Sequence, residues 1–218
     1  MMLNKDGMDY RNPDFSYLIG ALADGSLYYN KKHYIHRITY YQKSKEYLIY
    51  CIEPRIQRLF KNKGHFYLDS RKAVNYYEIT SKELYQIYKR NIGSFKAKTG
   101  RRIPRWIKAG DKSINYSFIS GFFDADGFYY LIPEKKDYRV RLGQSEFQVL
   151  QDIKEMLEND FKCSNVLGPY QSKEGVKPYF ELHIHGISQV KKFYRLIKPC
   201  HPDKQLDVNQ LKKPVQDE

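Results

Sequence analysis

An internal repeat constrains this chain more than any other feature of its sequence. The stretch Phe15–Tyr28 reads FSYLIGALADGSLY, and the stretch Tyr116–Tyr130 reads YSFISGFFDADGFYY. Each is an apolar run with small residues at helical spacing that ends in Ala-Asp-Gly and continues into a Tyr-rich segment typical of a strand. Asp24 and Asp126, the acids of the two copies, are 102 residues apart. The repeat therefore predicts two similar halves that share a core, because a unit of about 100 residues is only marginally stable alone.

The aspartate of each copy falls in the last turn of its predicted helix, because the glycine that follows it stops the helix. The carboxyl end of a helix carries partial negative charge, so a carboxylate placed there favours a positive partner. We expect the two helices to pack in parallel through four small residues: Gly20, Ala21, Ser120 and Gly121. That packing would bring Asp24 and Asp126 out at one end as a site for a hard divalent cation, for which Mg²⁺ is the usual occupant. A Mg²⁺ site beside a basic surface indicates phosphodiester hydrolysis.

The second copy, ISGFFDADG, resembles the motif of the LAGLIDADG homing endonucleases in its length and in its Gly, Asp-Ala-Asp and Gly positions. The first copy has one residue fewer between Gly20 and Asp24, and Leu22 stands where the family has a non-catalytic Asp. The resemblance is to the form with two motifs on one chain. It implies a monomeric, site-specific endonuclease that cuts one phosphodiester in each strand of a long asymmetric double-stranded DNA target and leaves short 3′ extensions. It also implies that Asp24 and Asp126 hold Mg²⁺, for which Mn²⁺ or Ca²⁺ can substitute in binding.

Both halves read as αββαββα, which is the unit of that family. In the first half we expect a helix to residue 24, strands at 26–32, 34–41, 65–69 and 74–79, a helix at 45–60 that Pro54 kinks or breaks, and a helix from Ser81 to near 93. In the second half we expect helices at 113–126, 145–160 and 187–198, and strands at 128–132, 138–144, 164–170 and 178–185. The resemblance implies an α+β fold in which two pseudo-symmetric halves, each with a curved four-stranded antiparallel sheet, pack through the motif helices.

The domain boundaries follow from this pattern. Residues 1–92 form the first half, 93–112 a basic linker, 113–198 the second half and 199–218 a charged tail that we expect to be largely irregular. Within the linker, Ile103, Trp106 and Ile107 are expected to hold the segment against the core. Its cations either follow a phosphate backbone or form a solvated surface.

The charge of the chain indicates a polyanionic partner and is concentrated in its first half. The formal net charge is +13, and residues 1–110 carry 22 Lys and Arg against 9 Asp and Glu, whereas residues 111–218 carry 16 of each. Nucleic-acid binding should therefore be lopsided, with most of the phosphate attraction in the first half.

The resemblance implies that the two sheets straddle the DNA major groove, and strand alternation indicates which side chains lie on the face turned toward it. In the second half it places Arg139 and Arg141 on that surface, and with them Glu181, His183 and His185. The two histidines, two residues apart on one strand face, could alternatively be a metal pair. The remaining predicted DNA contacts are basic residues of turns, strands and the linker: Lys31, Lys32, Arg37, Arg71, Lys72, Lys96, Arg101, Arg102 and Arg105.

Three polar residues at strand ends resemble the family's pocket residues that hold water near the scissile phosphates: Gln42, Lys43 and Gln144. Alternatively, the two glutamines merely end strands before the helix caps Ser44 and Ser145. The second half has no lysine after its glutamine, and Lys98 or Arg102 is the candidate for that role.

The three cysteines, Cys51, Cys163 and Cys200, form no C-x-x-C pair and are expected to be ordinary thiols in a reducing compartment. The polar start and the lack of a long apolar run predict a soluble intracellular protein with no membrane partner. Two other functions stay open at this point: an RNA maturase or a DNA-binding relative without catalysis, and a basic ribosome-associated protein.

Overall fold

The structure is a computed structural model that describes residues 10–70, 73–96, 100–135, 137–170, 178–209 and 211. Three of the predicted site residues, Arg71, Lys72 and Lys98, lie outside this described part. The first half consists of α1 (Pro13–Ala21), a 3-10 turn (Leu22–Asp24), β1 (Gly25–Asn30), β2 (Ile35–Gln42), α2 (Lys45–Tyr47), a π-helical turn (Leu48–Ile52), α3 (Glu53–Phe60), β3 (His65–Asp69), β4 (Val74–Thr80) and α4 (Lys82–Asn91).

A short helix, α5 (Arg105–Lys108), lies in the connection between the halves. The second half consists of α6 (Lys112–Asp126), β5 (Gly127–Ile132), a 3-10 turn (Pro133–Lys135), β6 (Asp137–Gln144), α7 (Phe147–Leu157), β7 (Leu167–Tyr170), β8 (Tyr179–His185) and α8 (Ile187–Ile197). A further 3-10 turn, Pro202–Lys204, follows α8. Side-chain caps begin four of these helices where the sequence has a good capping residue: Asn12 accepts from the N–H of Phe15, Ser44 from that of Tyr47, Ser81 from that of Leu84 and Asp111 from that of Ile114.

The two sheets have the same strand order, which confirms the predicted α+β fold with a pair of four-stranded antiparallel sheets. The order is β1-β2-β4-β3 in the first half and β5-β6-β8-β7 in the second. One face of each sheet packs on helices, with Ile38, Tyr40 and Tyr77 buried in the first half and Val140 and Leu142 in the second. The core is one continuous cluster that includes residues of both halves.

The two motif helices, α1 and α6, pack in parallel through their glycines. A Cβ atom on Gly20 would lie 2.1 Å from the carbonyl oxygen of Phe118, and one on Gly121 would lie 2.1 Å from that of Tyr17. Both distances are far below any contact that a real side chain tolerates, so the backbones can approach this closely only because neither residue has a Cβ. Ala21 lies at this contact as predicted, with its backbone nitrogen 2.9 Å from the Cβ position of Gly121. Ser120 instead turns its hydroxyl away to donate to the carbonyl of Lys198.

Pro54 neither breaks nor sharply ends the helical segment that contains it. The turn just before it is π-helical, and the N–H of Glu53 donates to the carbonyl of Leu48, five residues back. A wider turn at this point accommodates the missing proline N–H. The segment therefore stays helical from Lys45 to Phe60.

Residues 199–209 have an irregular backbone apart from the 3-10 turn, as predicted, but they pack against both halves. His201 is buried, and Leu206 and Val208 contact the core. The buried carboxylate of Asp124 holds this segment, because it accepts from the N–H groups of Cys200 (2.8 Å) and His201 (3.1 Å). Tyr17 of α1 donates to the same carboxylate at 2.6 Å.

The expectation of three ordinary thiols is wrong. Cys51, in the π-helical turn of the first half, forms a disulfide with Cys200, with a Cα–Cα distance of 6.1 Å. The two residues are 149 positions apart, so no spacing rule connects them. Among the cysteines, only Cys163 is a free thiol.

Candidate active site and nucleic-acid interface

The two motif helices end at the same height although the first has one residue fewer between its glycine and its aspartate. From Gly121 to Asp126 the chain is α-helical, and five steps of 1.5 Å give a rise of about 7.5 Å. From Gly20 to Asp24 there are four steps, but the last three form a 3-10 turn that rises about 2.0 Å per residue, so the total is again about 7.5 Å. The tighter turn therefore compensates for the missing residue and brings both carboxylates to one level.

The two carboxylates share one electrostatic environment. Burial raises the pKa of Asp24, while the charges of Lys96 and Lys204 lower it in part. Desolvation by the packed atoms around Asp126, and then the charge of Asp24, raise the pKa of Asp126 to about 6. Asp126 is nevertheless an exposed residue and Asp24 a half-buried one, so the pair is closely surrounded by protein but open on one side. A divalent cation bound by both acids would offset the repulsion between their two carboxylates and favour their ionised form.

A lysine lies against the carboxyl end of each motif helix. Lys96 donates to the carbonyl of Ala23 at 3.3 Å, and Lys204 donates to the carbonyls of Phe123 at 2.9 Å and Asp124 at 2.7 Å. This is where a helix favours a cation. Burial lowers the pKa of both ammonium groups to about 8, while the carboxylates of Asp24 and Asp126 act in the opposite direction.

Sequence reasoning assigned Lys96 to DNA contact and missed Lys204 altogether. The signal that would have found both is their position in the repeat: Lys96 follows Asp24 by 72 residues, and Lys204 follows Asp126 by 78. Lys204 was overlooked because it lies in the segment that was expected to be irregular.

The glutamines at the strand ends occupy equivalent places but make different contacts. Gln144, at the end of β6, donates to a carboxylate oxygen of Asp126 at 3.3 Å and accepts from the N–H of Ser145. Gln42, at the end of β2, accepts from the N–H of Lys43. Gln144 thus contacts the acid pair directly. The roles of Gln42 and Lys43 in catalysis stay predictions.

The outer face of the second sheet carries the residues that alternation assigned to DNA. In the strand register Arg139 pairs with His185 and Arg141 with His183, while Glu181 lies opposite Gly143. Glu181 forms an ion pair with Arg141 at 3.1 Å, accepts from the hydroxyl of Tyr179 at 2.7 Å and lies 2.7 Å from a ring nitrogen of His183. This network buries Glu181 and His183, which is a correction to their predicted exposure, whereas His185 is exposed.

The active site and this outer face open into one cleft of about 340 Å³. Asp126, Gln144, Arg141 and Glu181 all line it. The alternative of a histidine metal pair gains no support: in the described ranges no group of three or more His, Cys, Asp and Glu side chains could hold a metal ion.

The outer face of the first sheet is rich in tyrosine. Tyr67 stacks on Tyr76 with ring centroids 5.1 Å apart, and Tyr76 lies 6.0 Å from Tyr41. Arg37 lies on the same face, 3.4 Å from Glu78. The predicted contacts Lys31 and Lys32 are exposed in the turn between β1 and β2, where the side chain of Asn30 accepts from the N–H groups of Lys32 and His33.

The linker cations point in different directions. Arg101 lies close enough to Asp126 for its charge to lower the pKa of that acid. Arg102 forms a two-armed ion pair with the buried Asp152 of α7, at 2.8 and 3.0 Å, and Lys108 donates to the same carboxylate at 2.7 Å. Arg102 therefore joins the linker to the second half, and its predicted DNA contact and catalytic role stay predictions.

Arg105 is exposed beside Trp106, whose ring stacks on Phe15 near the start of α1. That end of α1 is the one away from Asp24, so the structure places Arg105 far from the acid pair. The burial of Ile103 and Ile107 agrees with the expectation that the linker is held against the core.

Two parallel helices that meet at glycines and end in adjacent acids, with a four-stranded sheet beside each, define the class of two-motif LAGLIDADG proteins. The family model described as "LAGLIDADG-like domain" matches residues 113–198. The match covers the second half, and the first half repeats its strand order, so both halves resemble the same domain.

Three known proteins are similar to this chain. The homing endonuclease I-ApeI of Aeropyrum pernix is 28% identical over 200 residues, which cover 89% of this chain and 85% of that protein. The crystal structure of I-DmoI in complex with DNA and Mn has a TM-score of 0.63 at 17% identity and covers 88% of this chain and 99% of its own. The N-terminal LAGLIDADG domain of DUF199/WhiA has a TM-score of 0.53 at 15% identity, and the match covers 89% of this chain and 87% of that one. At these identities the two structures establish the fold alone.

No helix in the part of the chain that the structure describes combines the length and the apolar composition that crossing a membrane requires.

Proposed function

We propose that the protein is a site-specific endonuclease of double-stranded DNA that hydrolyses one phosphodiester in each strand and needs a divalent metal. The observation that carries this proposal is the pair Asp24 and Asp126, which end adjacent helices, have raised pKa values and are flanked by Lys96 and Lys204. Helix termination alone does not explain the two aspartates, because the carboxyl end of a helix disfavours negative charge.

The donor set fits Mg²⁺. Carboxylate oxygens are the ligands that this ion prefers, and it keeps several of its waters when a protein supplies only one or two carboxylates. Asp24 and Asp126 would hold it, and when bound it would supply a Lewis acid that polarises the scissile phosphate and neutralises developing charge. Mn²⁺ and Ca²⁺ present similar charge to the same oxygens.

The lysines and the glutamine give the site its other functions. Lys96 and Lys204 are positioned to stabilise negative charge on a phosphate above the acid pair, because preorganised cations in a partly enclosed site act on charge as it develops. Gln144, held by Ser145, can orient a water molecule beside Asp126. Gln42 has the equivalent place at the end of β2 and is proposed to act on the other strand.

The two outer sheet faces are proposed to bind DNA in the major groove on either side of the cleavage point. Arg139, Arg141 and His185 present donors that suit guanine edges, whereas the tyrosines of the first sheet present larger apolar surfaces. Because the halves differ in this way on one chain, the target is expected to be asymmetric and the protein monomeric. Cuts across the minor groove would leave the short 3′ extensions.

The test uses DNA that spans the locus of this gene with the reading frame removed, incubated with protein and Mg²⁺ or with EDTA. Wild type should cut at one place only with metal, whereas Asp24→Asn and Asp126→Asn should each lose at least about 100-fold in rate and keep DNA binding. Glu83→Gln is the matched control, because it removes one exposed negative charge from α4, at the other end of β2 from Gln42. Near wild-type cutting by either aspartate variant would refute the proposal, and binding without any cleavage by wild type would favour a binding protein or RNA maturase.

A further inference from the structure

We propose that residues 199–205, which we call the C-terminal strap, position Lys204 for cleavage of one DNA strand, and that the Cys51–Cys200 disulfide fastens the strap. The inference rests on the proposed function, because its effect is read on strand cleavage. It goes beyond that function by assigning the disulfide a selective role in the cleavage of one of the two DNA strands.

The strap leaves α8 and crosses onto the first half. The disulfide attaches Cys200 to the π-helical turn of the first half, and the ring of His201 stacks on Tyr47 with centroids 4.7 Å apart. The strap thus touches residues of the first half through Cys51 and Tyr47 and residues of α6 through Asp124. It is a contact between halves outside the paired motif helices.

The short turn within the strap transmits the position of Cys200 to Lys204. The N–H of Lys204 donates to the carbonyl of His201 at 3.0 Å, and the N–H of Gln205 donates to that of Pro202 at 3.2 Å. His201 also accepts, through Nδ1, from the N–H of Asp203. Pro202 has a fixed φ, so the five residues from Cys200 to Lys204 form a compact unit. A displaced Cys200 therefore displaces the ammonium group that contacts the end of α6.

The two sites differ in how their lysine is held. Lys96 belongs to the segment after α4, which contains no cysteine, whereas Lys204 is four residues from a disulfide-bonded cysteine. Loss of the bond should therefore affect the cleavage that depends on Lys204 and spare the one that depends on Lys96. The N–H contacts to Asp124 and the Tyr194 hydroxyl, which donates to the Lys204 carbonyl at 2.9 Å, remain, so the loss should be partial.

Opening the bond requires a reductant, and a dithiol such as dithiothreitol suffices. Its thiolate attacks one sulfur of the disulfide, and its second thiol completes the exchange, so that Cys51 and Cys200 become two thiols and the reagent becomes a cyclic disulfide. Two electrons and two protons pass to the protein, and no other co-reactant is needed.

The experiment labels the two DNA strands with different fluorophores and measures the nicking rate of each. The full-length protein is compared in oxidised form, after dithiothreitol treatment, and as Cys51→Ser/Cys200→Ser. The Lys204→Met variant identifies the strand that depends on this lysine. We expect reduction and the double substitution each to slow that strand at least about fivefold and the other less than about twofold, since small misplacements of a catalytic group lower rates strongly.

Controls separate a positioning role from a structural one. Cys163→Ser should behave as wild type, and the double variant should not respond to dithiothreitol. Alkylation of the oxidised protein under denaturing conditions should modify one cysteine of three, and hydrogen exchange at residues 200–205 should rise on reduction.

The proposal is overturned if all three cysteines are alkylated without reductant, or if both strands slow equally. If no form of the protein cuts DNA, the proposed function fails. The thiol count and the exchange at 200–205 would still decide whether the bond fastens the strap.

Discussion

Removing the charge of Asp126 should stabilise the metal-free protein. The pKa of this acid is raised from 3.8 to about 6, and one pKa unit corresponds to 1.36 kcal/mol, so full ionisation costs at most about 3 kcal/mol. Solvent reaches the carboxylate and screens much of this, which reduces the expected gain in Asp126→Asn to about 1 kcal/mol. The asparagine amide oxygen can still accept from Gln144, so little is lost in exchange.

The pH dependence of this gain has a defined sign. Below about pH 4 the acid is protonated in both the folded and the unfolded chain, and the substitution changes nothing through charge. Between about pH 4 and 6 the unfolded chain ionises first, so wild type loses stability as the pH rises. The advantage of Asp126→Asn should therefore be absent near pH 4 and complete above pH 6.

Metal should reverse the order of stability. In EDTA at pH 7.5 the variant should melt about 2–4 °C above wild type, as expected for about 1 kcal/mol in a chain of this size. Mg²⁺ at about 100 times its dissociation constant adds about 2.7 kcal/mol to wild type and much less to the variant, which lacks one ligand. Calorimetric scans with EDTA and with Mg²⁺ at pH 4.5 and 7.5 measure all of these differences.

Asp152→Asn is the matched control, because it makes the same chemical change but is expected to lower the stability of the protein. Burial raises the pKa of Asp152, but hydrogen bonds from Arg102 and Lys108 outweigh it and hold this pKa below its usual range. The substitution should lower the melting temperature at pH 7.5. A destabilised Asp126→Asn in EDTA, or a gain that Mg²⁺ leaves unchanged, would refute the reasoning about the acid pair.

Three further substitutions test other parts of the structure. Gly121→Ala should destabilise the protein by about 3 kcal/mol or more in urea denaturation, because its methyl group would meet the Tyr17 carbonyl at 2.1 Å; a change below about 1 kcal/mol would contradict the helix contact. Lys96→Met should slow cleavage at least about tenfold in a nicking assay while DNA affinity stays within about twofold, and equal losses of both would contradict its place at the active site. Arg141→Ala should weaken binding to the target by about 1–3 kcal/mol in a titration and relax base preference at one position; a uniform loss on all sequences would indicate a phosphate contact.

The fold could be predicted from the sequence because the repeat and the strand alternation are local signals. The strand β3 was predicted with its observed bounds, and helix α6 and strand β6 were each predicted within one residue. The convergence of Asp24 and Asp126 followed from the small residues of the motif helices. The same local signals do not contain contacts between distant elements.

The contacts that the sequence did not predict share that cause. Arg102 was expected to contact DNA because its charge is visible in the sequence, whereas its partner Asp152 lies 50 residues later on α7. The burial of Glu181 and His183 results from side chains that meet across one sheet face and close over each other. Alternation predicts the face on which a residue lies but not whether neighbours cover it.

The two active sites are similar in height but not in orientation. The 3-10 turn restores the rise that the missing residue would have given, but it does not restore the rotation about the helix axis. From Gly20 to Asp24, one α-helical step of about 100° and three 3-10 steps of about 120° give a rotation of about 460°. From Gly121 to Asp126, five α-helical steps of about 100° give about 500°. Asp24 is therefore turned by about 40° relative to the position that exact symmetry with Asp126 would give. Because one repeat carries the shorter helix, the acids cannot occupy equivalent surroundings, which agrees with the contact of Gln144 to Asp126 and the different contact of Gln42. The inequivalence begins in the backbone of the first motif, and the strap that holds Lys204 adds to it.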